Sequence, residues 1–289
     1  MNNKITELNA KTLFPFSHQP LSELNELFSK INFSGLSKDN LNAALLSELQ
    51  ANLSSIVNAN LNKRFVCQNL LPEDQRYYEQ IIFEDHIIPT RQNSWHDFFN
   101  GLIWFRFPLT KAYLNSQHIA EIELHGLNPR SRVRNHITHF DECGVVLFIE
   151  GSDLYNELDN AFQRQDWLFI FCELRELWHI SIRPVIFGHA NLEMLLSPFI
   201  GLTGKVLLIE VNADVEKINL SLNCKENQES NYDLTLLSHI KETGTLEQKK
   251  PFYPLPLLGV PNWYYAEQSS EFYKNEAYFM PKRQHGAGV

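Results

Sequence analysis

The chain has 289 residues, 44% hydrophobic, 20% charged and 12% aromatic, a composition that builds a folded core and excludes disordered and fibrous classes. A formal net charge of -9 argues against general binding of nucleic acid or of anionic membrane surfaces. The longest apolar runs, "WLFIFC" and "GLIWF", fall far short of the roughly 20 residues of a membrane helix, so no membrane partner is expected.

"MNNKITELNAKTLFPF" lacks the apolar region of a secretory signal, and Cys67, Cys143, Cys172 and Cys224 show no C-x-x-C spacing. Both features lead to the expectation of a cytoplasmic protein. In "PLSELNELFSKI" and "SKDNLNAALLSELQANLSSIV", apolar residues recur every three or four positions, so residues 1–63 are expected to form a helical N-terminal portion, with Ser37 and Asn40 as start signals for the second helix. "RFVCQNLL" is too short to classify. "DQRYYEQIIFEDHIIPTR" begins as a helix and becomes extended towards Pro89. "NSWHDFFNGLIWFRFPLTKAYLN" is expected to give two helices. The first is capped near Asn93 or Ser94, has Asp97 as a capping carboxylate, and buries Phe98, Leu102 and Phe105; the second starts at Pro108.

"VRNHITHF" and "VVLFIEG", separated by "DECG", carry the pattern of a β-hairpin. "SDLYNELDNAFQRQDWLFIFCELRELWHI" is helical in pattern, "RPVIFG" and "GKVLLIEV" are strands, and "HANLEMLLSPF" is a short helix between them, which suggests α/β packing. Residues 212–232 are polar and loop-like, "YDLTLLSHIKET" is a short helix or strand, and "PFYPLPLLGVPNW" is extended. The expected fold is α/β or α+β, with a mixed-sheet core packed with helices over residues 64–289.

Most of the residues able to carry chemistry lie at helix starts. His96 and Asn100 share a helix face, as do His189 and Glu193 after the strand that ends at Gly188. At that turn the His189 ring is expected to be open to solvent, between Ile186 and Leu192 in the core. His189 and Glu193 fit a metal or general-base pair, with His96 as a further ligand or acid-base group. Asp141 and Glu142 offer paired carboxylates, although a turn explains them as well. Arg130, Arg132 and Arg134 would face one way on an extended backbone, and Arg134, Asn100 and Trp263 are the expected substrate contacts. The aromatic tail, Trp263, Tyr264, Tyr265, Phe272 and Tyr273, serves either as a cleft wall or as packing.

Four stretches, "PTRQNSWHDFFNGLIWFRFPLTKAYLN", "FDECGVV", "FGHANLEMLLSPFIGLTGK" and "PLPLLGVPNW", resemble a bacterial family, domain of unknown function three-zero-two-five. The resemblance covers about residues 64–283 and implies family membership and a bacterial source, but no reaction. The chain departs from the family pattern at Asn135, where the family has Asp, and at Met194, where it has Lys. Asn262 and "FYKNEAYFM" depart in the same way from a Gly and a more acidic run. Two functions stand open. One is a hydrolase-like enzyme acting on a small phosphorylated or ester-like substrate, with a divalent metal as the cofactor that fits. The other is a small-ligand-binding or protein-interaction protein in which the same motifs are structural.

Overall fold

The computed structural model describes residues 15–28, 35–53, 62–73, 75–211 and 232–282, and it is a mixed α/β fold in which N-terminal helices precede a sheet core. The apolar spacing near the N-terminus gives α1 (Ser22–Leu27) and α2 (Ala43–Leu53). α2 begins later than Ser37 or Asn40, because Asn42 supplies the cap by accepting from the Leu45 N–H at 2.9 Å. Its Leu46 lies over Gly101, where a Cβ would come within 2.6 Å of the leucine side chain. The N-terminal helices therefore share one apolar core with the rest of the chain.

"RFVC" forms β1 (Arg64–Cys67), paired in parallel with β2 (Ile87–Thr90) across the intervening α3 (Tyr78–Glu84). β2 leads into α4 (Trp95–Arg106), in which eight consecutive residues from Phe98 to Phe105 are buried. The expected apolar face of Phe98, Leu102 and Phe105 is inside, and so is the opposite face, as in a helix enclosed on all sides. Pro108 opens α5 (Pro108–His125), where a missing N–H costs nothing.

"VRNHITHF" is not a strand. It is most of α6 (Arg132–Cys143), capped by Ser131, whose Oγ accepts from the Arg134 N–H at 3.1 Å. Val133, Ile137 and Phe140 are spaced four and three apart, and this helical period outweighs the β-branched side chains that suggested a hairpin. "DEC" is thus the last turn of a helix that enters β3 (Gly144–Glu150) with no intervening loop. The helix also turns Arg134 inward, to 1% exposure, and removes the expected alternation of three arginines on one face.

After β3 the chain forms α7 (Ser152–Arg164), which ends at Gln165 with φ 56°, and a π-helical turn at Phe169–Glu173 replaces the continuous helix expected there. Then follow β4 (Ile182–Ile186), α8 (His189–Met194), β5 (Thr203–Val211), α9 (Tyr232–Thr243), β6 (Tyr253–Pro256) and α10 (Ser270–Tyr273). "YDLTLLSHIKET" is thereby a helix, while most of the polar stretch 212–232, with Cys224, lies outside the described residues. The sheet order is β4-β3-β5-β6, with β3 parallel to β5 and the outer pairs antiparallel. β3 is buried along nearly its whole length and forms the centre of the core. Among the described residues no helix is long and apolar enough to cross a membrane.

One long-range cap ties the C-terminal half to the N-terminal half. Asp233, with no exposed surface, accepts from the Leu109 and Thr110 N–H groups at 2.7 and 2.9 Å, satisfying the first turn of α5 from α9. Asp233→Ala would leave both donors buried without an acceptor and is expected to cost about 1–3 kcal/mol in urea unfolding. Asp233→Asn, which keeps one carbonyl oxygen, should lose less. Equal losses for the two variants would show that the charge, and not the acceptors, holds the helix start.

Candidate functional site

The antiparallel pairing of β3 with β4 sets Val145 opposite Ile186, so the segment entering β3 and the segment leaving β4 lie at the same end of the sheet. Gly188 N–H donates to the Gly144 carbonyl at 2.8 Å, and Asn191, fully buried, donates from Nδ2 to the Cys143 carbonyl at 2.8 Å. A Cβ on Gly188 would meet Gly144 N at 2.4 Å and the Glu142 carbonyl at 2.5 Å, so only glycine permits this approach. Asp141 and Glu142 are thereby brought beside His189, the first residue of α8.

His96 arrives from α4, which packs against α8. Ser94 caps α4 by accepting from the Asp97 N–H at 3.2 Å. Asp97 does not cap its own helix; its carboxylate turns back to accept from the Arg91 N–H at 2.6 Å and to pair with the Arg91 guanidinium at 2.6 Å. That clamp closes the turn between β2 and α4, which carries His96.

The two imidazoles meet edge to face, with Nε2 to Nε2 at 3.0 Å and ring planes at 77°. Glu142 Oε2 stands 3.6 Å from His189 Nε2 and 3.9 Å from His96 Nε2. Each ring has a carboxylate on its other nitrogen. Glu193 Oε2 lies 3.2 Å from His96 Nδ1, and Asp141 Oδ2 lies 3.8 Å from His189 Nδ1. Glu193 was expected to share a face with His189; it reaches His96 instead, and Glu142 takes the position beside both Nε2 atoms. His189 is also more enclosed than expected, at 4% exposure, because the junction of α6 with β3 covers it, while Ile186 and Leu192 lie in the core as expected.

Burial drives the His189 pKa down to about 3, with the charges of Lys111 and His96 adding to the effect and Asp141 opposing it. Burial likewise raises the Glu142 carboxyl against the opposing charge of His96. Asp141 is raised by burial too, but Lys111 and then His189 outweigh this and hold its pKa below the ordinary value. Lys111 is itself buried; its Nζ donates to Asp141 Oδ1 at 2.5 Å and to Asn100 Oδ1 at 2.9 Å, and lies 5.2 Å from the centre of the Trp104 ring. Asn100 donates in turn to the Tyr78 hydroxyl at 3.2 Å.

A cavity of about 300 Å³ opens along this network, lined at one end by His96, Glu142 and His189, and further along by Asn100, His118 and Arg130. Its size is at the small end of ligand sites. Arg134 and Trp263 do not line it. Arg134 donates to the Leu127 carbonyl at 2.7 Å, and Trp263 is buried with the aromatic C-terminal segment, whose Tyr264, Phe272 and Tyr273 pack ring on ring. Lys111 was missed in the sequence, although it sits between Phe107 and Leu114 at core spacing, a position where a lysine needs a buried partner.

The model of a family described as "Protein of unknown function (DUF3025)" matches residues 63–283. The chain belongs to this family. No curated protein and no solved structure matches it. The match contains every residue of the site and begins within one residue of the expected boundary at 64. The DUF3025 region thus carries the whole His96, His189 and Glu142 cluster, and α2 lies before it.

His118 is 4% exposed, and burial, with the nearby Arg134, Arg130 and Lys111 charges acting in the same direction, lowers its pKa to about 4 against the attraction of Asp141. The unfolded chain takes up a proton near pH 6.5 and the folded chain does not until about 4, so this contribution to stability is complete above 6.5 and is lost as the pH falls through that window. Wild type and His118→Gln, unfolded in urea at pH 7.5 and 4.5 with chelator present, should differ in slope. The variant is expected to lose less stability on acidification, by on the order of 1–3 kcal/mol. Parallel losses would mean that His118 is protonated in the folded state.

Proposed function

We propose that His96, His189 and Glu142 hold one divalent transition-metal ion and that the protein is a metal-dependent hydrolase of a small polar ester or phosphoester. The arrangement of the ring nitrogens carries this reading. With His96 neutral, as a metal ligand must be, Glu193 beside Nδ1 calls for a proton on that atom and leaves Nε2 as a lone pair. If His189 Nε2 then donates to it, His189 Nδ1 becomes a buried lone pair with no hydrogen-bond partner, facing the Asp141 carboxylate. A metal ion removes the conflict. Both Nε2 atoms coordinate, both Nδ1–H groups point to carboxylates, and each carboxylate raises the basicity of its histidine.

Distances and charge agree with this. Tetrahedral bonds of zinc length set ligand atoms about 3.3 Å apart, and the three separations here of 3.0, 3.6 and 3.9 Å bracket that value. The cavity is lined by Asp97, Asp141, Glu142 and Glu79 against Arg91 and Arg130, an acidic excess that a divalent cation neutralises. His189, kept neutral by burial, is ready to ligate without first losing a proton.

Three protein ligands leave a position for water, whose pKa such an ion lowers. The water oxygen attacks the carbonyl or phosphoryl centre and the bond to the leaving oxygen breaks. The proton released by the water passes to that oxygen, giving an acid and an alcohol. Asn100 is within reach of the same cavity and serves as an orienting donor.

The burial of His189 favours a second reading, in which the two histidines are packing residues of a non-catalytic small-ligand-binding protein. Metal analysis separates the two. The purified protein is expected to carry about one divalent ion per chain. His189→Ala should lose the ion and keep its fold by circular dichroism, and Glu193→Gln should bind it about 10–100-fold more weakly. Wild type without metal even after incubation with zinc, together with a His189→Ala variant destabilised by more than about 3 kcal/mol, would overturn the metal reading.

A further inference from the structure

The end of the cavity at Tyr77 gathers guanidinium groups, although the buried Glu79 carboxyl, whose Oε2 accepts from Asn115 Nδ2 at 2.7 Å, also lines the cavity. The Arg130 and Arg134 guanidinium groups both lie against the Tyr77 ring, 6.0 and 5.4 Å from its centre, and Arg130 also donates to the Tyr77 hydroxyl at 3.1 Å. The His118 ring lies 6.5 Å from the same tyrosine ring. Tyr77, His118 and Arg130 all line the cavity, and Arg130 is solvent-exposed at its mouth. Arg134 is buried behind them, with its charge undiminished by an acidic partner in any ion pair among the described residues.

His118 adds an observation that points to a ligand. It is 4% exposed, lines the cavity, and its Nδ1 has no hydrogen-bond partner. A buried ring nitrogen without a partner costs stability unless something fills the site. A metal ion at this end is disfavoured by the guanidinium charges. An oxyanion satisfies the arrangement, accepting from the Arg130 fork in the field of Arg134, and from His118 Nδ1–H once the enclosed ring turns towards it.

We propose that Arg130, His118 and Tyr77 form an oxyanion subsite, so that the substrate is a small polar molecule with a carboxylate or phosphate group at the end remote from the bond that is cleaved. The proposal rests on the metal reading only for which end of the cavity carries the chemistry. With the oxyanion held at Arg130, the ester or phosphoester group of the same molecule lies towards the His96, His189 and Glu142 cluster. A pocket of about 300 Å³ leaves room for little beyond those two groups.

The test is calorimetric titration of zinc-loaded protein with inorganic phosphate and, separately, with acetate, for wild type, Arg130→Gln and His118→Leu, with zinc content measured in each sample. Wild type is expected to bind at least one of the two oxyanions, and the one bound assigns the phosphate or the carboxylate class. Arg130→Gln, a change at an exposed side chain that the fold tolerates, should weaken binding about tenfold at unchanged zinc content, and His118→Leu should weaken it in the same direction. Absence of binding to wild type by both oxyanions, or equal affinity of wild type and Arg130→Gln, overturns the subsite. Failure of the metal reading is seen separately, as wild type without zinc. Arg130-dependent oxyanion binding by such a protein would leave the subsite standing without the metal.

Discussion

The close approach of two backbone segments, at Gly144 and Gly188, is the constraint on which the site depends. Helix α6 runs into β3 and β4 runs into α8 at the same sheet end, and the Gly144 carbonyl accepts from both the Phe187 and Gly188 N–H groups. A side chain on Gly188 would push the segments apart, its Cβ coming within 2.4 Å of Gly144 N, while one on Gly144 would come within 2.3 Å of the Phe140 carbonyl and disrupt the end of α6 itself. With the segments in contact, the last turn of one helix and the first turn of another present Asp141, Glu142 and His189 as a group. The enclosed helix α4 then needs only to deliver His96, and its burial on all sides fixes where that ring can be.

Such a site is costly to build. Lys111 and His189 are both at or below 5% exposure, and a buried ammonium is tolerated only with partners. Asn100 and Asp141 supply them, and the Lys111 charge in turn holds Asp141 ionised beside His189. The cluster is thus a chain of mutual dependence running from the Tyr78 hydroxyl through Asn100, Lys111 and Asp141 to His189 and His96. Removing a middle member leaves an uncompensated charge, so polar residues in this apolar interior restrict each other to one geometry. That is the arrangement in which ligand atoms are pre-positioned and little reorganisation accompanies binding.

Much of the frame was legible in the sequence. Apolar periodicity marked α2, α4 and α5, the continuous apolar runs marked β3, β4 and β5, and the matched helix starts pointed to His96 and His189 as neighbours. The misassigned element, α6, explains most of what was not legible. "VRNHITHF" has a strand-like content of Val, Ile, Thr and Phe, which masks the helical spacing of Val133, Ile137 and Phe140. Read as a hairpin, that segment turned Asp141 and Glu142 into loop residues and Arg134 into a surface group. Placed on a helix, Asp141 and Glu142 line a cavity and Arg134 is buried. Lys111 and Asp233 were hidden for another reason, since their partners are 30 and 124 residues away and no local pattern connects them.

The buried position of His189 bears on function in a way that solvent exposure would not. An exposed imidazole is shared among protonation states near neutral pH and exchanges its hydrogen bonds with water. Enclosure by the α6–β3 junction removes the cationic state, and Asp141 fixes which ring nitrogen faces the cavity. His96, at 30% side-chain exposure, and Glu142, at 39%, stay on the open side of the pair. One imidazole of the cluster is thereby enclosed while the other and Glu142 face the cavity, which Asn100 and Arg130 also line.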